Sequence, residues 1–438
     1  MRIPLVSANE RRALCLIAMI GLAARLLIAP FLGHKYDVRA YLSWTEYLQH
    51  NPLSSFYSAS LGTPPDHLPG DLMIFAAIGR IAPALFPGFS FESWYAELII
   101  RLVPILSDIL LGVLVYFFVR KRVDSGTALA AAALVIFNPG LFMVSAIWGQ
   151  WDSFAALILL GIIMLAMRGH SIVIWPLLMY LVLIKPQYAI FGVLIVVYLV
   201  RLAITTGTIS GNRARKSPLC LGKDIAAGIP LSLLVFIGIC FPFNVGFPGQ
   251  SGMKWSILDR VSFAINRYGD VTLGAHNIWT LFGKSLGDPD GAMLIGTITY
   301  ASAGRILLVA FMLLAIAATA TIAPADWALL CGSFIAAMSI YSFPTRVHER
   351  YMMPAIVMLL VMWPLAHRLL PIMIGLSLTY TASLVLAMWW DIPIHVNFVS
   401  FVLAFANLAF FAWAVTEMLR ATRMGWKLHG RVNTAIGT

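Results

Sequence analysis

The stretch 343-FPTRVHERY-351 carries an unusual density of ionisable groups for a chain that is 60% hydrophobic. Within five positions it places four charged or titratable side chains: Arg346, His348, Glu349 and Arg350. On a helical turn Arg346 and Arg350 share a face, because residues four apart are neighbours on a helix. Two guanidinium groups on one face can hold a phosphate through paired hydrogen bonds. The alternative is a partly exposed charged loop in which Glu349 neutralises its neighbours.

Two acidic stretches near the start of the chain are candidates for proton chemistry. Asp37 lies in 35-KYDVRAYLSW-44, where a carboxylate could take a proton from a hydroxyl nucleophile or cap the helix that follows. Asp66 and His67 lie in 64-PPDHLPGD-71, where they could assist such a base or hold an acceptor molecule. Proline, aspartate and glycine are also the residues of a plain turn, which the residues alone favour here.

Two further connections hold polar residues between apolar runs. Gln150 and Asp152 alternate with tryptophans and could bind sugar hydroxyls beside the aromatic faces. Tryptophans also form interfacial belts, and Asp152 could cap the next helix. Lys185 and Gln187 flank a proline; the lysine could hold a phosphate while the amide adds donors. The alternative is a lysine that only extends its ammonium to the membrane interface.

The chain as a whole is strongly apolar. Of its 438 residues only 11% are charged, whereas a soluble domain carries about 25%. Apolar runs of about 17 to 25 residues, long enough to cross a bilayer, recur from end to end. The basic residues behind the net charge of +11 lie in short connections, which indicates positive-inside orientation and argues against nucleic-acid binding. The cysteines form no CxxC pattern, and none lies in a segment predicted to be outside. They therefore imply no disulfide or metal site: Cys15, Cys220, Cys240 and Cys331.

These runs predict an all-α polytopic membrane protein with about twelve transmembrane helices and both termini in the cytoplasm. The predicted spans lie near 13–33, 98–119, 126–146, 153–167, 171–184, 188–203, 225–243, 301–323, 327–343, 352–366, 369–389 and 396–417. We expect the first run to be an uncleaved span rather than a signal peptide, because no cleavage site follows it. The apolar piece 72–86 is predicted not to cross, because crossing would place the cations of 120-RKR-122 outside.

The connections complete what we expect to be a single domain, 1–438. A first outer loop, 34–97, is predicted to carry interfacial or re-entrant helices. A second outer loop, 244–300, is predicted to contain an amphipathic helix over 253–268. Two basic segments are predicted to be cytoplasmic: 205–224 and 420–438.

This topology brings the unusual polar residues to one outer face of the membrane. The candidates are Asp37, Asp66, His67, Asp108 (within reach of the outer end of the second span), Gln150, Asp152, Lys185, Gln187, Arg346, His348, Glu349 and Arg350. Ionisable groups at membrane depth are costly and tend to pair with one another around a cavity. Acids, cations and a histidine together predict a site that binds an anion and needs a base.

The order and spacing of six motifs resemble the GT-C superfamily of integral-membrane glycosyltransferases. The motifs are 36-YDVRAYLSW-44, 66-DHLPGDL-72, 101-RLVPILSD-108, 146-IWGQWDS-153, 184-IKPQ-187 and 345-TRVHERY-351. The chain most resembles the bacterial relatives of the GPI-anchor mannosyltransferases, and is more distantly similar to glucosyltransferases that build lipid-linked oligosaccharides. It departs from them at 67-HLPG-70, where relatives often have Tyr-Pro-Pro.

The resemblance implies inverting transfer of a hexose, by resemblance mannose, from a polyprenyl-phosphate donor to a hydroxyl. Asp37 would be the general base. The leaving phosphate would be held by Lys185, Arg346, His348 and Arg350. Sugar and acceptor would be bound by Asp66, His67, Gln150, Asp152 and Gln187. Glu349 and Asp108 would not touch the substrates but would orient the residues that do. Because cations surround a monophosphate leaving group, no metal or other cofactor is expected.

The resemblance also implies the setting of the reaction. The protein would lie in the bacterial inner membrane among its lipids, with its active site on the periplasmic side. The acceptor would be a lipid, a glycan or a protein hydroxyl, and no nucleic acid is expected as a partner.

Two other functions are open at this stage. An O-antigen ligase or polymerase would also use outer arginines and histidines, but concentrated in a large late loop. A transporter of lipid-linked sugars would show inverted repeats and ionisable groups near the middle of the membrane. The acids of the early loop, and charges gathered at one face, favour the glycosyltransferase.

Overall fold

The computed structural model describes residues 6–31, 33, 35–206, 218–388 and 396–423. The predicted basic segments 205–224 and 420–438 therefore fall largely outside the described residues. The helices are α1 Ala8–Ile28, α2 Lys35–His50, α3 Pro69–Leu85, α4 Trp94–Val119, α5 Ser125–Ile136, α6 Pro139–Phe142, α7 Asp152–Arg168, α8 Ser171–Ile184, α9 Ala189–Thr206, α10 Pro218–Cys240, α11 Ile257–Asn266, α12 Tyr300–Thr321, α13 Ala325–Ser342, α14 Met353–Met362, α15 Leu370–Met388 and α16 Val396–Arg423.

Strands are few and short in the described part of the chain. β1 (Val245–Gly246) pairs in parallel with β2 (Trp255–Ser256). β3 (Met293–Ile295) pairs antiparallel with β4 (Ile298–Thr299). All four lie within the second predicted outer loop, so the strands only tie that loop to itself.

Eight helical segments among the described residues are long and apolar enough to cross a membrane. They are Trp94–Val119, Ser125–Trp148, Pro186–Thr205, Gly222–Phe243, Tyr300–Thr321, Ala325–Ser342, His367–Met388 and Phe398–Thr422. The all-α polytopic membrane class is thereby confirmed. Four more of the predicted spans contain helices that are too short or too charged to be included among these eight: α1, α7, α8 and α14. The count of twelve spans therefore stays a prediction.

The predicted outer loops contain the expected kinds of helix. The first loop holds α2 and α3, and α3, which contains Pro83, is not among the eight segments long and apolar enough to span. The second loop holds α11 inside the predicted range 253–268. Ser256 and Asp259 close a capping box at the start of α11, which explains why the helix begins there.

The helices pack into two compact units. The Asp37 unit comprises Arg25–Ile105 and Val144–Asp270, and the Arg346 unit comprises Met1–Ala24, Leu106–Met143 and Val271–Thr438. In the Asp37 unit a largely aromatic core joins α2 and α3 to α8 and α10; its members include Tyr41, Trp44, Phe56, Phe75, Trp151, Leu183 and Phe243. In the Arg346 unit α14 is buried on every side, as an all-apolar helix requires.

Contacts within each unit join connections that the predicted topology places on one face. In the Arg346 unit, Glu10 pairs with Arg120 at 3.1 Å and Arg122 approaches Asp326 at 3.8 Å. In the Asp37 unit the hydroxyl of Ser171 hydrogen-bonds Asp224. All three contacts join segments that were predicted to share the inner face, so the alternation of spans agrees with the packing.

Candidate functional site

Asp37 is held at the start of α2 by the 148-WGQW-151 turn. Trp148 Nε1 and Gln150 Nε2 each donate a hydrogen bond of 2.7 Å to Oδ2 of Asp37. Asp37 lies inside the first turn of α2, and the two donors lie more than a hundred residues away in sequence. Hydrogen bonds from N–H groups to a carboxylate stabilise its negative charge.

Gln150 links two residues of α2. Its Nε2 donates to Asp37, and its Oε1 accepts the hydroxyl of Tyr41 at 2.8 Å. Tyr41 lies four residues after Asp37 and so on the same helix face. Gln150 is 2% exposed, and both ends of its amide contact protein. Its observed role is therefore to orient Asp37; the predicted contact with sugar stays a prediction.

His67 and Asp71 form a pair beside Tyr41. Nδ1 of His67 hydrogen-bonds Oδ2 of Asp71, which is 1% exposed. The imidazole packs edge-on against the rings of Tyr41 and Trp44, with centroid distances of 5.4 and 5.1 Å. Burial by itself lowers the pKa of His67, but the charge and hydrogen bond of Asp71 outweigh it and raise the pKa above its ordinary value. Asp71 was missed from the sequence, although it lies in the quoted motif.

The start of α3 positions this pair. Pro69 occupies the first helical position, which its fixed φ favours, and Asp71 lies in the first turn. A Cβ on Gly70 would lie 2.5 Å from the carbonyl oxygen of Leu183, so only glycine permits α3 to approach the end of α8 this closely. The glycine in 67-HLPG-70 thus has a packing reason.

Lys185 and Asp152 form a buried ion pair. Lys185 follows the end of α8 and Asp152 lies in the first turn of α7, and Nζ meets Oδ1 at 2.6 Å. The side chains are 12% and 2% exposed. Asp152 therefore neutralises the lysine, and the predicted phosphate and sugar contacts of the two residues stay predictions. Gln187 is half-buried, and its amide makes no hydrogen bond with the described residues.

Asp66 is held by the second outer loop. Arg267 Nη1 lies 3.1 Å from Oδ2 of Asp66 and donates to the carbonyl of Pro64 at 2.6 Å. Arg260, on α11, donates to the carbonyl of Pro65 at 2.6 Å, with its guanidinium 4.0 Å above the ring of Tyr57. The sequence reasoning missed both arginines. They clamp the turn that precedes His67, so Asp66 stabilises the loop in this structure.

The Arg346 unit contains the FPTRVHERY stretch, and its conformation differs from the helical turn considered above. Arg346 has φ +62°, a left-handed conformation that is costly for a residue other than glycine. Leu273 N donates to the carbonyl of Val347 at 2.9 Å, and His348 forms β-bridges with Leu273 and Gly274. A short helical turn begins only at Glu349. Arg346 and Arg350 therefore do not share a helix face, because the second outer loop holds the residues between them extended.

The carboxylate that pairs with Arg346 is Asp290, which the sequence reasoning did not select. Arg346 donates from Nε to Oδ2 at 2.7 Å and from Nη2 to Oδ1 at 3.2 Å, and Thr345 Oγ1 adds a hydrogen bond of 2.8 Å. Asp290 is 4% exposed. This forked pair fixes both the direction and the charge balance of the guanidinium.

Glu349 pairs with Arg350. Nη1 of Arg350 lies 3.2 Å from Oε1 of Glu349, whose side chain is 3% exposed. Gly274 has φ +89°, and a Cβ there would lie 2.8 Å from Oε2 of Glu349, so glycine is needed beside this carboxylate. The loop alternative is right in one respect, since Glu349 neutralises a neighbouring arginine. Asp108 is fully buried about halfway along α4, and its predicted supporting role stays a prediction.

The segment 271–290 supports the FPTRVHERY stretch and was not predicted to do so. Trp279 Nε1 donates to the carbonyl of Phe343 at 2.8 Å. His276 is 7% exposed, its ring nitrogens lie 2.9 and 3.1 Å from the hydroxyls of Ser383 and Ser400, and burial lowers its pKa to about 4. A neutral histidine bound to two hydroxyls anchors the loop, so His276 is a structural residue.

Comparisons with known proteins add little to this geometry. No protein-family model matches the chain, and no curated protein matches it. One similar solved structure is the crystal structure of the Archaeoglobus fulgidus oligosaccharyltransferase, tethered to an acceptor peptide that contains the NVT sequon. Its TM-score is 0.49 at 15% identity, over 92% of this chain and 55% of that one. The chain thus spans about half the length of that protein, and a likeness of this size carries no argument about function.

Proposed function

We propose that this protein is a GT-C-type membrane glycosyltransferase. It moves a hexose, by resemblance mannose, from a polyprenyl-phosphate donor to a hydroxyl acceptor with inversion. The observation that carries the proposal is the clamp on Asp37. Two motifs that the resemblance names separately, 36-YDVRAYLSW-44 and 146-IWGQWDS-153, meet at its carboxylate through two hydrogen bonds of 2.7 Å.

The reaction needs a base, here a carboxylate of fixed position, beside the acceptor hydroxyl. The acceptor oxygen forms a bond to the anomeric carbon while the bond to the phosphate oxygen breaks, and polyprenyl phosphate leaves with the electron pair. The hydroxyl proton must pass to a protein group during this step. The resemblance assigns that proton to Asp37, whose position is set by Trp148, Gln150 and Tyr41.

The leaving phosphate needs cations whose positions are set before it arrives. In the Arg346 unit, Arg346 and Arg350 are both held by buried carboxylates, at 2.7 and 3.2 Å. These carboxylates fix the direction in which the two guanidinium groups point. Following the resemblance, we assign phosphate binding to Lys185, Arg346, His348 and Arg350. No metal is needed for this leaving group.

The setting of the reaction is part of the proposal. Contacts that join connections of one predicted face support the alternation of spans. By resemblance, the active site lies on the periplasmic face of a bacterial inner membrane. The donor would reach the protein from the lipid bilayer, and the acceptor is a lipid, glycan or protein hydroxyl.

The early-loop acids separate this function from a ligase or polymerase. Such an enzyme would need its reactive groups in a large late outer loop, such as 244–300. There His276 and Trp279 make anchoring contacts with neighbouring helices and with the Phe343 carbonyl.

Transfer of labelled sugar tests the proposal directly. Purified protein would be incubated with labelled polyprenyl-phosphate mannose or glucose and with native lipid extract, and the labelled product identified by mass spectrometry. We expect transfer from the mannose donor, and its loss in Asp37→Asn with donor binding retained. Absence of transfer from either donor would contradict the proposed function, and normal turnover in Asp37→Asn would remove Asp37 from the site.

A further inference from the structure

The Asp37 unit contains a second group suited to proton transfer, the pair His67 and Asp71. Asp71 is 1% exposed, and its Oδ1 has no hydrogen-bond partner among the described residues. Its other oxygen meets Nδ1 of His67. A buried carboxylate with a single partner depends on that partner to donate a proton. We therefore assign the hydrogen of the neutral His67 ring to Nδ1, facing Asp71.

The second ring nitrogen of His67 is left available. With Nδ1–H committed to Asp71, neutral His67 has its lone pair on Nε2. Nε2 has no partner among the described residues, and the side chain is 23% exposed. The rings of Tyr41 and Trp44 hold the imidazole edge-on from two directions, so its orientation is fixed before a substrate binds. This combination of an oriented ring, a defined tautomer and a free nitrogen is that of a general base.

The environments of His67 and Asp37 favour opposite roles. Trp148 and Gln150 donate two N–H hydrogen bonds to Oδ2 of Asp37, an arrangement suited to a carboxylate that remains an anion. Asp71 instead strengthens His67 as a proton acceptor. The two residues are therefore suited to different parts of the reaction.

We propose that His67 takes the acceptor's hydroxyl proton at Nε2, that Asp71 is its positioning residue, and that Asp37 stays ionised beside the reacting sugar. This inference rests on the proposed glycosyl transfer and moves the base from Asp37 to His67. As the acceptor oxygen bonds to the anomeric carbon, its O–H bond breaks and the proton passes to Nε2. His67 becomes an imidazolium paired with Asp71, while polyprenyl phosphate leaves with the electron pair. The carboxylate of Asp37 stabilises the positive charge that develops on the sugar ring.

The charges around His67 set the pH dependence of this step. Burial and the ammonium of Lys185 lower the pKa of His67, whereas the carboxylates of Asp71 and Asp66 raise it. The net shift of this pKa is upward. The neighbouring hydroxyl groups are the phenols of Tyr41 and Tyr57, and Tyr57 donates to the His67 carbonyl at 2.8 Å. Because the base acts in its neutral form, kcat/KM should rise with pH through the raised pKa of His67.

The test is the pH profile of transfer in the wild type, His67→Gln and Asp71→Asn. The assay uses labelled polyprenyl-phosphate mannose with native lipid extract as the acceptor source. His67→Gln should lower kcat about 10²- to 10⁴-fold and remove the acidic limb of the profile. Asp71→Asn should move that limb to lower pH, because it removes the charge that raises the pKa of His67. Glu46→Gln removes an exposed carboxylate from α2 and serves as the control, with its limb unmoved.

A measurement without substrate separates the two proposals. Imidazole NMR signals of the full-length protein in detergent, assigned through His67→Gln, report the pKa of His67 in the wild type and Asp71→Asn. We expect a fall in that pKa in the variant. Transfer with an acidic limb that Asp71→Asn leaves in place would overturn the inference and keep the proposed function. Absence of transfer from any donor would overturn both, even if the NMR titration moves.

Discussion

The hydrogen bond from Trp148 to Asp37 gives the sharpest prediction for the proposed site. Trp148→Phe keeps an aromatic ring at the position but removes Nε1, an N–H donor to Oδ2 of Asp37 at 2.7 Å. Hydrogen bonds to charged groups contribute about 1.5–3 kcal/mol, and each 1.36 kcal/mol is a factor of ten in rate. If the bond acts fully in the transition state, we expect kcat to fall about 10- to 150-fold.

The same motif supplies a matched control. Trp151, three residues on, is also buried, but its Nε1 has no hydrogen-bond partner among the described residues. Trp151→Phe therefore loses a comparable amount of packing, against Phe75 among others, without loss of a hydrogen bond.

The assay is initial-rate transfer of labelled hexose at saturating donor, with thermal unfolding in detergent measured in parallel. We expect both variants to unfold at a lower temperature and Trp148→Phe alone to lose kcat by the stated factor. Equal losses of kcat in the two variants would refute the reasoning, because packing and not the hydrogen bond to Asp37 would then explain the effect.

Three further predictions concern other parts of the two units. Arg346→Ala should lower kcat/KM for the donor at least about 10-fold, since it removes a guanidinium that Asp290 orients for phosphate binding. Unchanged steady-state kinetics would show that 343-FPTRVHERY-351 is a charged loop without a role in donor binding. Gly70→Ala should destabilise the protein by about 1–3 kcal/mol in chemical denaturation, because its Cβ would meet the Leu183 backbone. Gly161→Ala is the control and should not destabilise it, because the space around Gly161 is open. Equal stability of the two variants would contradict the close approach at Gly70. Transfer should persist in excess chelator, and loss of activity restored by a divalent cation would show that a metal is required.

Much of the architecture could be predicted from the sequence, because a membrane constrains a helix along its whole length. Runs such as 98–119 and 301–323 must be helical to satisfy their backbone groups in hydrocarbon, and α4 and α12 are found there. The amphipathic helix within 253–268 was also predictable, since its pattern and capping residues are local. Predictions based on local patterns succeed where local physics decides the structure.

The conformation around Arg346 shows where such reasoning fails. A spacing of four residues places Arg346 and Arg350 on one face only if the segment is helical. The bridges from Leu273 and Gly274 hold His348 extended instead, and Arg346 adopts a positive φ. No residue near Arg346 signals this, because the decisive hydrogen bonds come from a segment more than seventy positions earlier.

What the sequence determined by itself is the class of the protein and the side chains available for chemistry. Length and hydrophobicity of the runs require membrane helices, and the rarity of charged residues singles out those that interrupt them. The tertiary structure decided their partners: Trp148 and Gln150 for Asp37, Asp71 for His67, Asp152 for Lys185, Arg267 for Asp66 and Asp290 for Arg346. Most of these pairs join segments that are distant along the chain. In a low-dielectric interior each buried charge requires a compensating group, and which group lies within reach depends on how the helices pack.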